Sequence, residues 1–308
     1  MSGESVVRSE SGAVRGALTE AKGVAGGLPD LLIEARRVSA TVIAGWHGRR
    51  VAGRGETFWQ FRPFTPGEAA SSIDWRRSAR DEHVYIREKE WEAAHMMWLW
   101  ADLSASMDFR SRLATAAKRD RALVLLLALT ELLASAGERV GLLGESGPIL
   151  ARNSAERLAA FLARAKAAKP DTRALRRFAD VALFGDFLDP LPETEATLDA
   201  IIKSGARAHL IQVVDPIEET FPYTGRTEFL DPETGTRHVV GRAEQYRADY
   251  QARLAALRER LTLICRRLDW TFLIHRTDRP ATEPLLALHA RLADRHSQSA
   301  YSALGRAA

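Results

Sequence analysis

The alternation of strand-like and helical runs from Met96 onward constrains the fold of this 308-residue chain most strongly. Apolar runs at residues 96–101, 181–185 and 209–214 have the length of buried strands. Longer runs with apolar residues at helical spacing, such as residues 115–136, lie between them. This alternation predicts an α/β domain with a mostly parallel sheet flanked by helices. Such sheets bind ligands beyond the carboxyl ends of their strands, at a topological switch point.

The pattern also predicts how the chain is divided. The stretches, in order, are a flexible tail (1–30), a helix followed by an Arg/Gly/Pro-rich segment that packs on the main domain (31–91), the main domain (92–296) and a C-terminal tail (297–308). Residues 216–241 interrupt the alternation with the pattern of a β-hairpin, whose turn lies at 231–235. We therefore expect one α/β domain that carries a hairpin insertion.

Composition excludes several classes of protein. The single cysteine, Cys265, rules out an internal disulfide and a cysteine-based zinc site, and its apolar neighbours indicate a core thiol. No run is long and apolar enough to cross a membrane, and the first 27 residues do not form a secretory signal. We expect a cytoplasmic protein. A net charge of +4 is too weak to indicate nucleic acid, so the arginine-rich stretches 49–87 and 242–267 are interpreted mainly as solvated faces or arginine–carboxylate pairs.

Polar residues directly follow two of the predicted strands. Asp102, Ser104 and Ser106 follow the run 96–101 at alternate positions, and Asp186 follows the run 181–185. Mg²⁺ takes oxygen ligands and few protein groups, so one carboxylate and two hydroxyls suit part of its shell and leave a position open for a partner's carboxylate. The alternative is that Asp102 or Ser104 only caps the following helix, because Asp and Ser are favoured caps.

Catalytic motifs do not occur in the sequence. It contains no phosphate-binding G-x-x-x-x-G-K-[ST] loop, no G-x-G-x-x-G, no H-E-x-x-H and no G-x-S-x-G. The eight histidines are dispersed without metal-ligand spacing. We therefore predict no catalytic residue.

The order of these features resembles a von Willebrand factor A domain. A strand, D-x-S-x-S, a long helix and a later strand that ends in Asp186 match that family. The resemblance implies a metal-ion-dependent adhesion site (MIDAS) in which Asp102, Ser104 and Ser106 hold the ion and Asp186 assists through water. It also implies a threonine from an intervening loop, for which Thr172 in "KPDTRAL" is the candidate.

The flanking motifs resemble a bacterial family, the domain of unknown function 58 (DUF58). They are "GRGETFWQFRPF", "FRPFTPGE", "IDWRRSAR" and "VYIREKEWE" before the metal motif, and "FLDPETG", "CRRLDW" and "RTDRPATEPLLAL" after it. The likeness covers roughly residues 31–294. It implies a partner, because members of this family are commonly associated with AAA+ ATPases of the MoxR type.

Two main hypotheses of function follow. The first is a non-enzymatic, Mg²⁺-assisted protein-binding module that works with a MoxR-type ATPase in protein assembly or maturation. The second is a metal-dependent hydrolase, such as a nuclease, in which Asp102 and Asp186 hold metal and the arginine-rich stretches bind phosphate. Simple nucleic-acid binding through residues 242–267 is a further alternative. We favour the first, because two-metal hydrolysis needs a denser cluster of acids.

Overall fold

A computed structural model describes residues 27–44, 58–64, 73–80, 83–89, 95–166 and 169–292. The chain divides into two compact units, of which the smaller is Gly45–His95 and the larger contains the described residues before and after it. The predicted tails lie outside the described residues, except that residues 27–30 form the first turn of helix α1 (27–44).

The smaller unit contains a two-stranded antiparallel sheet, β1 (Phe58–Pro63) and β2 (Tyr85–Lys89). Between these strands lies the short helix α2 (Trp75–Ser78), and the carboxylate of Asp74 caps it by accepting a hydrogen bond from the Arg77 amide at 2.9 Å. The indole of Trp75 is exposed. Asp74 therefore has a structural role as the N-cap of this helix. The predicted packing of this segment on the main domain stays a prediction.

The larger unit is built on a five-stranded parallel sheet in the order β4-β3-β5-β6-β9. Its strands are β3 (Met96–Ala101), β4 (Arg139–Leu142), β5 (Asp180–Gly185), β6 (Arg207–Val214) and β9 (Thr271–Arg276). The predicted α/β class, with a parallel sheet flanked by helices, is confirmed. The narrower assignment to the von Willebrand factor A type stays a prediction.

Helices cover both faces of this sheet. Alternate side chains of each strand point to opposite faces, so apolar residues lie on both and are buried by helices. Met97 and Leu99 of β3 pack with apolar residues of α1, α3 (Lys118–Ser135), α4 (Ser154–Leu162) and α8 (282–292). Trp98 packs on the other side with residues of α5 (Leu191–Ser204) and α7 (Arg247–Arg267). Cys265 is buried in this second cluster, as the sequence predicts.

The strand order places a topological switch point between β3 and β5. The chain leaves β3 for β4 on one side and then crosses to β5 on the other side of β3. Ala101 pairs with Phe184 at the carboxyl ends of these two strands. Asp102 and Asp186 therefore begin the two connections that flank the switch point, where open α/β sheets bind their ligands.

The predicted hairpin is also present. After the short helix α6 (Pro216–Thr220), strands β7 (Thr227–Leu230) and β8 (Arg237–Val240) pair antiparallel and lead to α7. Within the part of the chain that the structure describes, no helix combines the length and the apolar composition needed to cross a membrane.

Candidate functional site

Asp102 is the first residue beyond β3 and is held at the switch point by its own backbone. Its amide donates to the carbonyl of Phe184 at 2.8 Å, which continues the pairing of β3 with β5 by one step. Its Oδ1 accepts a hydrogen bond from the Ser104 amide at 2.9 Å. Burial, and to a smaller extent the nearby Asp186, raise the pKa of Asp102, while the bonds from Ser104 oppose the rise. A negative charge on Asp102 is thus destabilised unless a cation compensates it.

The helix-cap alternative for Asp102 and Ser104 does not hold. The segment after Asp102 forms a 3-10 turn, Ala105–Asp108, for which Ser104 is the N-cap residue but makes no side-chain capping bond. The long helix α3 begins only at Lys118, with Ala117 as its N-cap. Neither polar residue therefore caps a helix through its side chain, and the spacing of Asp102 and Ser104 needs another explanation.

The two serine hydroxyls meet beside Asp186. Ser104 Oγ lies 3.1 Å from Ser106 Oγ, and Ser106 Oγ donates to Asp186 Oδ2 at 3.1 Å. Neighbouring ligands of an octahedral Mg²⁺ ion are about 3 Å apart, because each oxygen lies about 2.1 Å from the ion. The separation of the hydroxyls is therefore compatible with one shared ion.

Lys118 provides the charge that the sequence interpretation missed. Its ammonium donates to Asp186 Oδ2 at 2.9 Å and to Glu218 Oε1 at 2.6 Å, and the side chain is almost fully buried. Burial alone would lower the pKa of Lys118, but the carboxylates of Asp186 and Glu218 outweigh it and raise the pKa. A positive charge at the first position of a helix opposes the helix dipole. That unfavourable position in "ATAAKRDRALVLLLALTELL" is the sequence signal that could have found it.

Asp186 is fixed by further contacts. Its Oδ1 accepts the amide of Leu188 at 3.1 Å, and its carbonyl accepts the side-chain amide of Gln212 at 2.8 Å. Arg258 in turn donates to Gln212 Oε1 at 2.8 Å. The carbonyl of Asp186 is therefore engaged by Gln212, and its carboxylate is neutralised by Lys118. Asp102, in contrast, has no basic partner among the described side chains.

The hairpin supplies a second residue that sequence reasoning did not identify. Glu233, in the turn between β7 and β8, accepts a hydrogen bond from the Ser106 amide through Oε1 at 2.8 Å. The sequence places Glu233 in a turn but carries no signal that this turn reaches the switch point. Only the packing of the hairpin brings the two segments together.

These residues surround a cavity of about 720 Å³. The charged side chains of its lining are mostly acidic, namely Asp102, Asp186, Asp189, Glu193, Asp231 and Glu233. Lys169 is the only basic side chain among the described lining residues, and it pairs with Glu193. Burial, followed by the charge of Asp186, raises the pKa of Asp189. The cavity therefore attracts cations and repels anions unless a cation is bound.

Thr172 does not join this group. It begins a 3-10 turn, Thr172–Ala174, whose N-cap Asp171 accepts the amide of Arg173 at 3.0 Å. Among the described residues, the cavity lining includes Lys169 and Pro170 from this loop but not Thr172. The hydroxyl of Thr172 made it a candidate ligand, but the path of its loop keeps it out of the cavity lining.

The side chains fit a partial shell for a hard divalent cation. Asp102, Ser104 and Ser106 line the same cavity, and Asp102 has a charge that burial disfavours. In the described ranges, no three His, Cys, Asp or Glu side chains lie close enough together to hold a metal ion by themselves. Such an ion would therefore depend on the serine hydroxyls and on water or a partner for the rest of its shell.

Arginines of the stretch 242–267 have local partners. Arg258 pairs with Glu219 at 2.6 Å, and Arg260 with Glu195 at 2.8 Å. Arg247 donates to the carbonyl of Phe221 at 2.9 Å. These contacts support the interpretation of this stretch as structural pairs. About half of the stretch 49–87 lies outside the described residues.

Comparison with known proteins gives one family and a few relatives. The sequence profile of a family described as "Protein of unknown function DUF58" matches residues 60–260. The uncharacterized proteins Mb1516 of Mycobacterium bovis and Rv1480 of Mycobacterium tuberculosis are each 26% identical over 285 residues, which is 86% of this chain and 88% of theirs.

Two solved structures show weak similarity. One is the conserved hypothetical protein BatB from Bacteroides thetaiotaomicron, with a TM-score of 0.36 and 12% identity. The other is an aerotolerance-related membrane protein from Bacteroides fragilis, with a TM-score of 0.38 and 13% identity. Each alignment covers 65% of this chain and 100% of the other. At TM-scores this low, neither structure carries an argument about this chain.

Proposed function

Because this chain belongs to the DUF58 family, and because an uncompensated carboxylate and two hydroxyls meet at its switch point, we propose that it is a non-enzymatic, Mg²⁺-assisted protein-binding module. The observation that carries the proposal is the contrast between Asp102, which has no basic partner among the described side chains, and the acid excess of the surrounding cavity. Such a site gains stability from a cation.

In this proposal, Asp102, Ser104 and Ser106 would hold the ion in a MIDAS-like site. Asp186 would stay outside the direct shell, because Lys118 and the Ser106 hydroxyl already engage its Oδ2. The bound ion would supply a positive charge to which a carboxylate of a partner protein can bind. Without the ion, the same carboxylate would meet the acidic lining of the cavity and be repelled.

The partner in this proposal is an AAA+ ATPase of the MoxR type, acting with this chain on a client protein in the cytoplasm. The support for it is family membership. The motif "IDWRRSAR", in which Trp75 is exposed, offers a second surface for such an assembly.

A metal-dependent hydrolase ranks second. Two-metal hydrolysis uses several carboxylates that share two ions. Here Asp186 is already neutralised by Lys118. Arg247 and Arg258 of α7 are engaged with a carbonyl and a carboxylate, respectively. These contacts reduce what the site could offer to a second metal ion and to phosphate.

The test is metal binding and partner recovery in matched variants. Asp102→Asn should abolish Mn²⁺ or Mg²⁺ binding, because the neutral amide lacks the charge that a hard cation requires. Ser104→Ala should weaken binding by about tenfold, because one ligand is lost while the charge remains. For the wild type, an ion concentration ten times the Kd should raise the free energy of unfolding by about 1.4 kcal/mol. Calorimetric titration and denaturation with and without the ion measure both effects.

The control is Asp120→Asn, a partly buried aspartate of α3 that does not line the cavity and whose pKa burial also raises. This variant should bind the ion as the wild type does. A purified MoxR-type ATPase should be recovered by the wild type and by Asp120→Asn only when Mg²⁺ is present. Equal recovery by wild type and Asp102→Asn, with no effect of Mg²⁺, would contradict the proposal.

A further inference from the structure

The turn of the hairpin lies over the candidate site. Asp231, Pro232, Glu233 and Thr234 line the same cavity as Asp102 and the two serines. Of these turn residues, Glu233 makes a direct bond, from the Ser106 amide to its Oε1 at 2.8 Å. An acidic side chain of this chain therefore already stands beside the hydroxyls of the D-x-S-x-S segment.

The turn is shaped so that it presents Glu233. Asp231 Oδ1 accepts the amide of Glu233 at 3.0 Å, and Asp231 Oδ2 accepts the hydroxyl of Thr234 at 2.6 Å. The amide of Gly235, which has a positive φ of 71°, donates to the carbonyl of Asp231 at 2.8 Å. These bonds order the turn without help from the site, so Glu233 is directed toward the cavity before any partner binds.

The base of the hairpin is held separately from its tip. The ring of Phe221 stacks on that of Phe229 at 5.7 Å between centroids and packs on that of Tyr250 in α7 at 4.9 Å. Arg247 donates to the carbonyl of Phe221 at 2.9 Å. Because these contacts do not involve Glu233, the tip can separate from Ser106 while the base stays packed on α7.

The contact of Glu233 is exposed and electrostatically opposed. Glu233 is one of the charges that raise the pKa of Asp189, and it shares the cavity with further acids. Its favourable contact is the Ser106 amide, at the edge of the cavity. An acidic side chain that arrives from outside meets the same amide and the same repulsion but lacks the tether, so it needs an additional favourable contact to displace Glu233.

We propose that Glu233 is an internal acidic ligand that closes the site, and that an acidic side chain of a partner protein enters by displacing it. The closure is a property of this chain alone and holds without metal. The identity of the entering group rests on the proposed function. Glu233 thereby determines which partners enter, because only a group that binds more favourably than this tethered carboxylate replaces it.

Chemical labelling tests the closure in the presence of a metal chelator. Ser106→Cys places a thiol at the contact, and the natural Cys265 is buried and serves as the unreactive background. Neutral iodoacetamide should label Ser106→Cys about fivefold faster once Glu233→Ala is added, because the tip opens locally. Glu228→Ala is the matched control, since Glu228 lies on the same hairpin and pairs with Arg237 rather than with the site.

Hydrogen exchange provides a second measurement that keeps Ser106 intact. The Ser106 amide should exchange faster in Glu233→Ala than in the wild type and in Glu228→Ala. Unchanged labelling and unchanged exchange would overturn the closure, whatever the metal titrations show. Faster labelling and exchange support it even if Asp102→Asn shows that no metal binds.

Partner recovery tests the displacement. Glu233→Ala should recover severalfold more MoxR-type ATPase than the wild type, because the internal competitor is removed, whereas Asp102→Asn should recover none. Loss of recovery in Asp102→Asn with no gain in Glu233→Ala would overturn the displacement and leave the proposed function standing. Wild-type recovery by Asp102→Asn would instead contradict the proposed function.

Discussion

Two neighbouring strand ends of one sheet use the same residue type in different ways. Asp102 follows β3 and Asp186 follows β5, and the two strands pair in register up to these residues. Asp186 is buried and bonded to the ammonium of Lys118 at 2.9 Å. Among the described residues, Asp102 has hydrogen bonds from Ser104 but no basic partner, and burial raises its pKa.

The two aspartates differ in whether a basic side chain of the described chain compensates their charge. Lys118 neutralises Asp186 from within the chain, so that end of the sheet is complete without a ligand. The surroundings of Asp102 oppose its charge, and in the proposed function a bound cation would compensate it. A buried ion pair and an uncompensated acid therefore lie side by side, and substitutions at each should have opposite effects on stability.

The largest effect is expected at the neutralised end. Lys118→Met removes the ammonium and leaves Asp186 and Glu218 buried without their common partner. We expect the free energy of unfolding to fall by about 3–5 kcal/mol, as when one member of a buried pair is removed. Chemical denaturation measures the change.

Two controls sharpen this prediction. Lys169→Met breaks an exposed pair with Glu193 and should change stability by less than about 1 kcal/mol. Adding Asp186→Asn to Lys118→Met should recover part of the loss, because it removes one of the two stranded charges. A loss below about 1 kcal/mol for Lys118→Met would show that the pair of Lys118 with Asp186 stabilises the fold no more than an exposed pair does. Asp186 and Asp102 would then not differ in this respect.

A smaller effect of opposite sign is expected at the uncompensated end. Asp102→Asn should raise the metal-free stability at pH 7 by roughly 0.5–1 kcal/mol, because a disfavoured charge is removed. The gain should depend on pH. A raised pKa favours the folded state below the unfolded value of 3.8, and that contribution is lost as the pH rises through the folded pKa.

The advantage of Asp102→Asn should therefore be absent below about pH 3.8 and fully present once the pH exceeds the folded pKa of Asp102. Melting both proteins across this range in the presence of a chelator measures the difference. An advantage that grows as the pH falls would have the wrong sign and would show that Asp102 is stabilised as a charge.

A comparably small effect on stability is expected at Gly185, where the ends of β3 and β5 approach each other. A Cβ added at Gly185 would lie 3.1 Å from Asp102 Cβ and 3.5 Å from its Oδ2. Gly185→Ala should therefore lower stability by about 1 kcal/mol, the low end of the cost of overpacking, while it displaces the Asp102 carboxylate and weakens Mn²⁺ binding. Gly147→Ala, with no atom near the added Cβ, is the control. Titration of both variants with Mn²⁺ checks this. Equal affinity would show that the close approach of Gly185 to Asp102 is not needed for metal binding.

Sequence alone predicted the features that depend on local pattern. The strand 96–101, the hairpin turn at 231–235 and the α/β class follow from apolar periodicity and turn residues, and the rule for strand ends brought Asp102 and Asp186 to one edge. Lys118 was missed because its partners, Asp186 and Glu218, are distant in sequence, and because it stands in a run of charged residues, Lys118–Arg121. Its unfavourable position at the start of a helix is a local signal, but no local pattern identifies the partners of a long-range pair.

The residues that surround the switch point depend on loop paths, which sequence patterns describe poorly. Thr172 has a suitable hydroxyl, but its loop brings Lys169 and Pro170 to the cavity instead. Glu233 was recognised only as a turn residue, although the turn reaches Ser106. The direction of a hairpin is set by contacts at its base, such as that of Phe221 with Tyr250, which become visible only in three dimensions.

The two carboxylate oxygens of Glu218 have a consequence for how this fold can diversify. One oxygen binds Lys118 and the other accepts the amide of Asp215, which fixes the start of the insertion to the sheet. The turn at residues 231–235 is not part of this attachment and is largely exposed. Exposed turns tolerate substitution and changes of length better than the elements that hold them. A few turn residues can thus be exchanged to give a new selectivity while the sheet and its ion pair remain the same.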